Sequence, residues 1–185
     1  MSYLSDVIHA AVWGKRPPEE PKWNKWLHRN LSDHHCPECL KLNECWFEKG
    51  ETPQWPHHLF CHCVLEQIPY NAVLTKCNAD CSYSKLDPYL FDSNNIYGHG
   101  KRELMESWGY SVKDSQYLKE EMEKQGLAKY VDGDYQLGSL DQYGQRISIR
   151  IEIPNKARGG TVSFVTGWMV HAHGKITLIT PYGGK

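Results

Sequence analysis

The sequence predicts an α+β protein: a small, helical, cross-linked N-terminal module, then two helices and an antiparallel four-stranded sheet. Three observations predict it. All 7 cysteines lie between Cys36 and Cys81, so the first part carries a staple and the rest has none. Two segments after residue 100 carry helix start and stop signals. Beyond residue 145 the apolar residues change to a period of two.

Residues 1–13 hold Leu4, Val7, Ile8 and Ala11 at helical spacing, and Pro17, Pro18 and Pro21 break the run. Residues 22–31 repeat the pattern, with Trp23, Trp26 and Leu27 at i, i+3 and i+4. A helix packing its tryptophans into the core is expected there. A Cys/His segment at 34–63 follows, then a polar connection through Cys77, Asn78 and Cys81. The boundary is placed in that connection, giving a module at 1–84 and a second domain at 85–185. In the second domain, 101–108 reads as a helix ended by Gly109. Asp114 or Ser115 caps another helix to about Gln125, with Gly126 as its stop. Residues 130–137 form a weaker strand candidate, interrupted by Asp132, Gly133 and Asp134. Ile147, Ile149, Ile151 and Ile153 alternate with Ser148, Arg150 and Glu152, the mark of a half-buried strand. Segments 162–170 and 175–180 read as two more strands, with Ala172, His173 and Gly174 at the turn between them.

Composition narrows the function classes. The 185 residues are 40% hydrophobic and 23% charged with a net charge of −1, which excludes disorder and binding to polyanions by bulk charge alone. No run approaches the roughly 20 apolar residues that cross a bilayer, so no membrane partner is expected. The start lacks the basic end and apolar core of a classical signal peptide. The expected location is bacterial cytoplasm or a phage virion.

An N-terminal piece this small struggles to bury a sufficient core unaided. Its odd cysteine number, C-x2-C and C-x-C spacings and interleaved histidines favour zinc over disulfides as the staple. Zinc takes four soft or borderline ligands in a tetrahedron, and Cys36-Pro37-Glu38-Cys39 supplies two thiolates from one turn. Cys36, Cys39 and Cys63 are the firmest ligands, while Cys61 and His58 compete for the fourth place. His57 and His62 are further candidates. Cys45 is spare, and Cys77 with Cys81 serves a second site or none. A closed four-ligand site is structural. An open one using His34, His35 or His57 would instead make a zinc-dependent nuclease.

Asp33-His34-His35-Cys36 also spells the signature of the DHHC acyltransferases, but those carry it between transmembrane helices, and this sequence has no such run. A broader resemblance covers residues 22–70. Trp26, Cys36-Pro37-x-Cys39 and Pro56-x-His58-x-x-Cys61-x-Cys63 before Val64 and Leu65 resemble the zinc-binding C-terminal segment of phage Mu F-type minor head proteins. That resemblance implies phage head proteins as partners. It also implies an effector domain appended after the segment.

In the second domain, His99-Gly100-Lys101-Arg102 opens a helix with an imidazole and two cations, either a phosphate site or a solvated basic cap. Arg146 and Arg150 flank Ser148 on the polar side of the isoleucine strand, either as anion binders or as ion-pair partners of Glu152 and neighbouring strands. Thr166-Gly167-Trp168 sits mid-strand, where glycine admits a ligand or forms a β-bulge under a core tryptophan. His171 and His173 flank a turn. One histidine, several cations and a hydroxyl without a carboxylate cluster suit metal-independent RNA cleavage, in which the substrate's 2′-hydroxyl attacks phosphorus.

Residues 85–182 resemble the DUF6883 type of polymorphic-toxin domain, associated with barnase–EndoU–colicin–RelE-like ribonucleases. The matching features are Lys85-Leu86-Asp87-Pro88, Gly98-His99-Gly100-Lys101, Trp108-Gly109-Tyr110, residues 141–146, Thr166-Gly167-Trp168 and residues 178–182. The resemblance implies a prophage-type effector toxin acting on tRNA or rRNA and an immunity protein as partner. Its expected catalytic residues are His99, Lys101, Arg146 and Thr166. Arg102, Arg150, Trp168 and Tyr182 are expected to bind substrate. The competing expectation is a non-catalytic phage structural or interaction protein with a structural zinc.

Overall fold

The computed structural model describes residues 21–28, 36–92 and 100–181. The helix expected at 1–13, together with His34, His35, His99 and Tyr182, lies outside the described residues. The fold is α+β, but it contains two sheets rather than one of four strands.

The first sheet joins β1 (Trp23–His28), β2 (Trp46–Glu48) and β3 (Cys63–Ile68) in the order β2-β1-β3, all antiparallel. Helix α1 (Pro37–Leu42) lies between β1 and β2 in the chain, and α2 (Tyr70–Lys76) follows β3. Strand β1 stands over 23–28 in place of the helix expected at 22–31, whose residues 29–31 lie outside the described residues. Residues three apart on a strand point to opposite faces, and both Trp23 and Trp26 are fully buried. Trp23 meets Tyr130 edge-on at 5.0 Å. Trp26 faces the other way, on the side it shares with Leu65 and Cys63 through the β1–β3 register. A central strand covered on both faces shows no period of two, and its apolar spacing imitates a helix.

The second sheet contains β4 (Asn78–Asp80), β5 (Gln136–Asp141), β6 (Gly144–Pro154), β7 (Thr161–Val170) and β8 (Lys175–Thr180), in the order β4-β8-β7-β6-β5. The expected antiparallel strands are present as β5 to β8. The added member is β4, which pairs parallel to β8 from within the connection read as polar linker. Three residues are too few to carry a period. Helix α3 (Lys101–Ser107) matches its expected position.

Helix α4 (Ser115–Val131) runs straight through Gly126, where the sequence suggested a stop. A Cβ at Gly126 would lie 2.7 Å from the Trp168 ring, so this glycine admits an aromatic side chain instead of ending a helix. Ile147, Ile149, Ile151 and Ile153 are all buried on the side that packs against α4. Beyond α4, a turn through Gly133 at φ 74° reverses the chain, so only the end of the 130–137 segment is strand.

Bonds tie the first sheet to residues beyond position 84. The Tyr130 hydroxyl donates to the Trp46 carbonyl at 2.6 Å, and the Glu48 N–H donates to the Tyr135 hydroxyl at 2.8 Å. Leu137 N–H donates to the Glu51 carboxylate at 2.7 Å, and Cys45 bridges Ala172. Residues on both sides of position 84 contribute to one continuous core.

Two expected outcomes follow from this packing. Gly126→Ala, normally favourable in a helix, is expected to lower stability by about 1–3 kcal/mol through overpacking against Trp168, measured by denaturant unfolding. Asp114 is held below the ordinary carboxylate range, first by the Lys156 ammonium and then by Ser111. Its contribution is therefore complete above the unfolded value near pH 4 and lost as pH falls through the lower folded value. Asp114→Asn should cost less than about 1 kcal/mol at neutral pH and should flatten the acid limb of a thermal-stability profile.

Candidate functional site

Five metal-ligating side chains converge from three places. Pro37 opens α1 and presets its first turn, which brings Cys36 and Cys39 to one side of the helix. The 55–62 loop turns through a Cys61 N–H to His58 carbonyl bond of 3.1 Å and a positive φ of 63° at Phe60. Cys63 begins β3.

The Cys39 sulfur lies 3.5 Å from His58 Nε2 and 3.8 Å from the Cys61 sulfur. A tetrahedral ion with zinc-like bond lengths sets edges of about 3.6 Å for S···N and about 3.8 Å for S···S. The donors therefore already stand at coordination spacing. Cys36, Cys39 and His58 form one group of ligand atoms within 4.8 Å of one another, and Cys39, Cys61 and Cys63 form a second. Cys39 belongs to both, and these groups could hold a metal ion.

The surroundings suit that use. His58 Nδ1 lies 2.8 Å from the Leu59 carbonyl. A carbonyl only accepts, so Nδ1 carries the proton and Nε2 keeps its lone pair for a metal. Burial and the neighbouring sulfurs push the Cys39 thiol well up. Crowded thiolates are disfavoured without a cation between them, and a bound cation reverses the sign. Burial raises the Cys63 thiol overall, and the buried Trp26 indole N–H beside it acts in the opposite direction, toward the thiolate.

His57 is turned away to Glu38 at 3.0 Å, and His62 is exposed and belongs to neither group. Cys45, Cys77 and Cys81 are buried, with thiols pushed up to about 12 by burial. They form no second metal cluster among the described residues.

The five-stranded sheet has two unlike faces. One packs on α4. The other is more exposed and carries a polar row, because cross-strand partners share a face: Gln136 pairs with Ser148, Ser148 with Gly167, and Gly167 with Thr180, while Val165 and the buried Met169 share that face opposite Arg150 and Arg146. Arg146 and Arg150 lie on this face by alternation with the buried isoleucines. At one end of the row, the Lys101 ammonium donates to Thr180 Oγ1 at 3.1 Å and lies 5.7 Å from the Tyr89 ring centre. Asp141 fixes the Arg146 guanidinium through Nε. Arg150 donates to the Ser163 hydroxyl at 3.2 Å and has no carboxylate partner among the described residues. A cleft of about 200 Å³ opens beside it.

The structure thus groups Lys101, Arg146 and Arg150 on one face and separates two expected partners from them. Thr166 is fully buried, donates to the Ile149 carbonyl at 2.8 Å and accepts the Trp168 indole N–H at 2.7 Å. A hydroxyl committed inside the core cannot reach a phosphate, and Trp168, equally buried, cannot stack on a base. Gly167 sits at a register shift between β7 and β8, which is the β-bulge alternative. Arg102 is paired with Glu106 along α3 at 2.7 Å.

Sequence reasoning passed over His171. Its Nε2 lies 2.7 Å from Thr177 Oγ1, on the open side, and burial followed by the Lys175 charge lowers its pKa. The available signal was alternation, since His171 lies two residues beyond Met169, which is paired with Arg146.

The sequence model of DUF6883, described as a domain of unknown function, matches residues 76–185. The chain belongs to the DUF6883 family. No curated protein and no solved structure matches it. The DUF6883 domain takes in the whole five-stranded sheet and both helices α3 and α4, while all five clustered metal-ligating side chains lie before it. Tyr130, Tyr135 and Leu137 are among the DUF6883 residues bonded to the N-terminal part. Among the described residues no helix is long and apolar enough to cross a membrane.

Elemental analysis of the purified chain is expected to find one ion per molecule. Cys39→Ser, which breaks both donor groups, should abolish retention and lower Tm by roughly 5 °C or more. Cys77→Ser should keep the ion.

Proposed function

We propose that the DUF6883 domain cleaves RNA on the open face of its five-stranded sheet, without a catalytic metal, and that the Cys/His cluster holds a structural zinc ion. One observation carries the first part: Lys101, Arg146 and Arg150 share a solvent-facing side with the hydroxyls of Ser148 and Thr180. Cations around a phosphodiester stabilise the charge of a phosphorane, and hydroxyls distinguish ribose from deoxyribose.

In the reaction the 2′-oxygen forms a bond to phosphorus as its proton passes to a base. The bond from phosphorus to the 5′-oxygen breaks, and that oxygen receives a proton. The products are a 2′,3′-cyclic phosphate and a 5′-hydroxyl. His99, which immediately precedes Gly100, is the imidazole that the sequence argument assigns to proton transfer. Lys101 and Arg146 are assigned to the phosphate and Arg150 to the neighbouring backbone. Thr166 and Trp168 have no role.

The spacing of Cys39, His58 and Cys61 supports zinc, and using four of the five donors closes the site, which is the structural arrangement. The resemblances to phage head proteins and toxin domains support a prophage-type effector with an immunity protein as partner. A non-catalytic interaction role has its own support in Leu59 and Phe60, which are 83% and 81% exposed on the metal loop.

The test incubates the full chain with tRNA, rRNA and DNA. Cleavage of RNA alone is expected, leaving 2′,3′-cyclic ends, with no cutting of RNA whose 2′-hydroxyls are replaced by hydrogen. Arg146→Gln should slow it on the order of a hundredfold. If no RNA is cut, the interaction role stands instead.

A further inference from the structure

We propose that the cleft beside Arg150 is a ribose-phosphate subsite that holds one nucleotide of a single-stranded RNA by its phosphate and its sugar. It rests on the reading of the open face as the RNA side of the DUF6883 domain.

The cleft forms where the last turn of α4 passes into β5. Lys129, Asp134 and Tyr135 come from that connection, and Gln136, Ser148 and Arg150 come from the sheet. Its volume, about 200 Å³, is below the roughly 300–1,000 Å³ of pockets that engulf a whole small molecule. It suits a portion of a longer ligand.

The charges favour an anion. Lys129 and Arg150 stand against the single carboxylate of Asp134. Lys129 pairs with Asp134 at 3.0 Å, but the Asp134 side chain is 69% exposed, so this pair is weak and the carboxylate can turn to water. Among the described residues Arg150 has only the Ser163 hydroxyl as a side-chain partner. Its planar fork matches two oxygens of one phosphate.

The neutral groups favour a sugar. The Ser148 hydroxyl and the Gln136 amide are cross-strand neighbours on the cleft wall, and neither has a side-chain hydrogen bond among the described residues. A hydroxyl that both donates and accepts, beside an amide that does the same, complements a ribose 2′-hydroxyl. Tyr135 is held in place by the Glu48 N–H, so the N-terminal sheet fixes one wall.

The probes are cytidine 3′-phosphate, its 2′-deoxy counterpart, inorganic phosphate and a short single-stranded RNA, titrated into the full chain and followed by calorimetry and amide chemical shifts. The ribonucleotide should bind several-fold tighter than the deoxynucleotide, and inorganic phosphate more weakly still. The RNA should displace the ribonucleotide. Arg150→Gln should weaken binding at least tenfold. Ser148→Ala should erase the difference between the two sugars while phosphate binding persists. Lys124→Gln, on the exposed side of α4, should change nothing.

Binding indifferent to Arg150→Gln combined with Lys129→Gln overturns the subsite. So does the absence of binding by any probe, equal binding of inorganic phosphate and nucleotide, or a bound nucleotide that RNA does not displace. The expected binding pattern with uncut RNA keeps the subsite and removes the cleavage reading. Cut RNA with binding indifferent to Arg150 does the reverse.

Discussion

The hydroxyl of Tyr130 holds the molecule's two sheets in one core. Wholly buried near the end of α4, it donates to the Trp46 carbonyl, while its ring meets Trp23 edge-on. Burial raises its pKa well above the ordinary tyrosine value, so the proton that makes the bond stays in place. A buried carbonyl deprived of this donor would bear the cost of an unmet hydrogen bond. The bond reaches β2 at Trp46, and the neighbouring strand β1 carries Trp23 and Trp26. The small sheet and the Cys/His cluster beside it are thereby tied to the helix that backs the large sheet.

That arrangement gives each sheet face one task. In the large sheet, α4 takes the isoleucine face, and Gly126 brings helix and Trp168 close enough to fill it. The opposite face carries Arg150 exposed and Arg146, Ser148 and Thr180 half-buried. In the small sheet, Trp23 faces the tyrosines and Trp26 faces the cysteine side. A metal there would close the far side of a three-stranded sheet whose short β2 offers little core of its own.

The alternating isoleucines of β6, the start of α3 and the turn at His173 and Gly174 were legible because each is a local pattern that one element satisfies alone. So was the cluster at Cys36, Cys39, His58, Cys61 and Cys63, since each half is a compact motif of ligand-type residues, although the two halves lie about twenty residues apart and meet only through the fold. β1 was not legible. Its tryptophans are buried by different partners on opposite sides, and one of those partners lies about a hundred residues away in the chain. β4 was hidden for a related reason, since its strand partner among the described residues, β8, is contributed by the far end of the chain.

Thr166 and Arg150 mark the same division within the site. Both are polar residues on neighbouring strands, and residue type alone makes each a plausible phosphate ligand. Alternation could have separated them, because Thr166 keeps step with the buried Trp168 and Arg150 with the exposed Glu152. What alternation could not supply was the cleft, since Lys129 and Gln136 reach it only after the chain reverses at Gly133. By itself, then, the sequence determined the candidate donor residues, the family and the two-sided character of the β6 strand, each written in motifs or periods within short stretches of chain. The tertiary structure alone decided which polar groups share a surface. That depends on how strands separated in the chain are brought into register, and no local period records it.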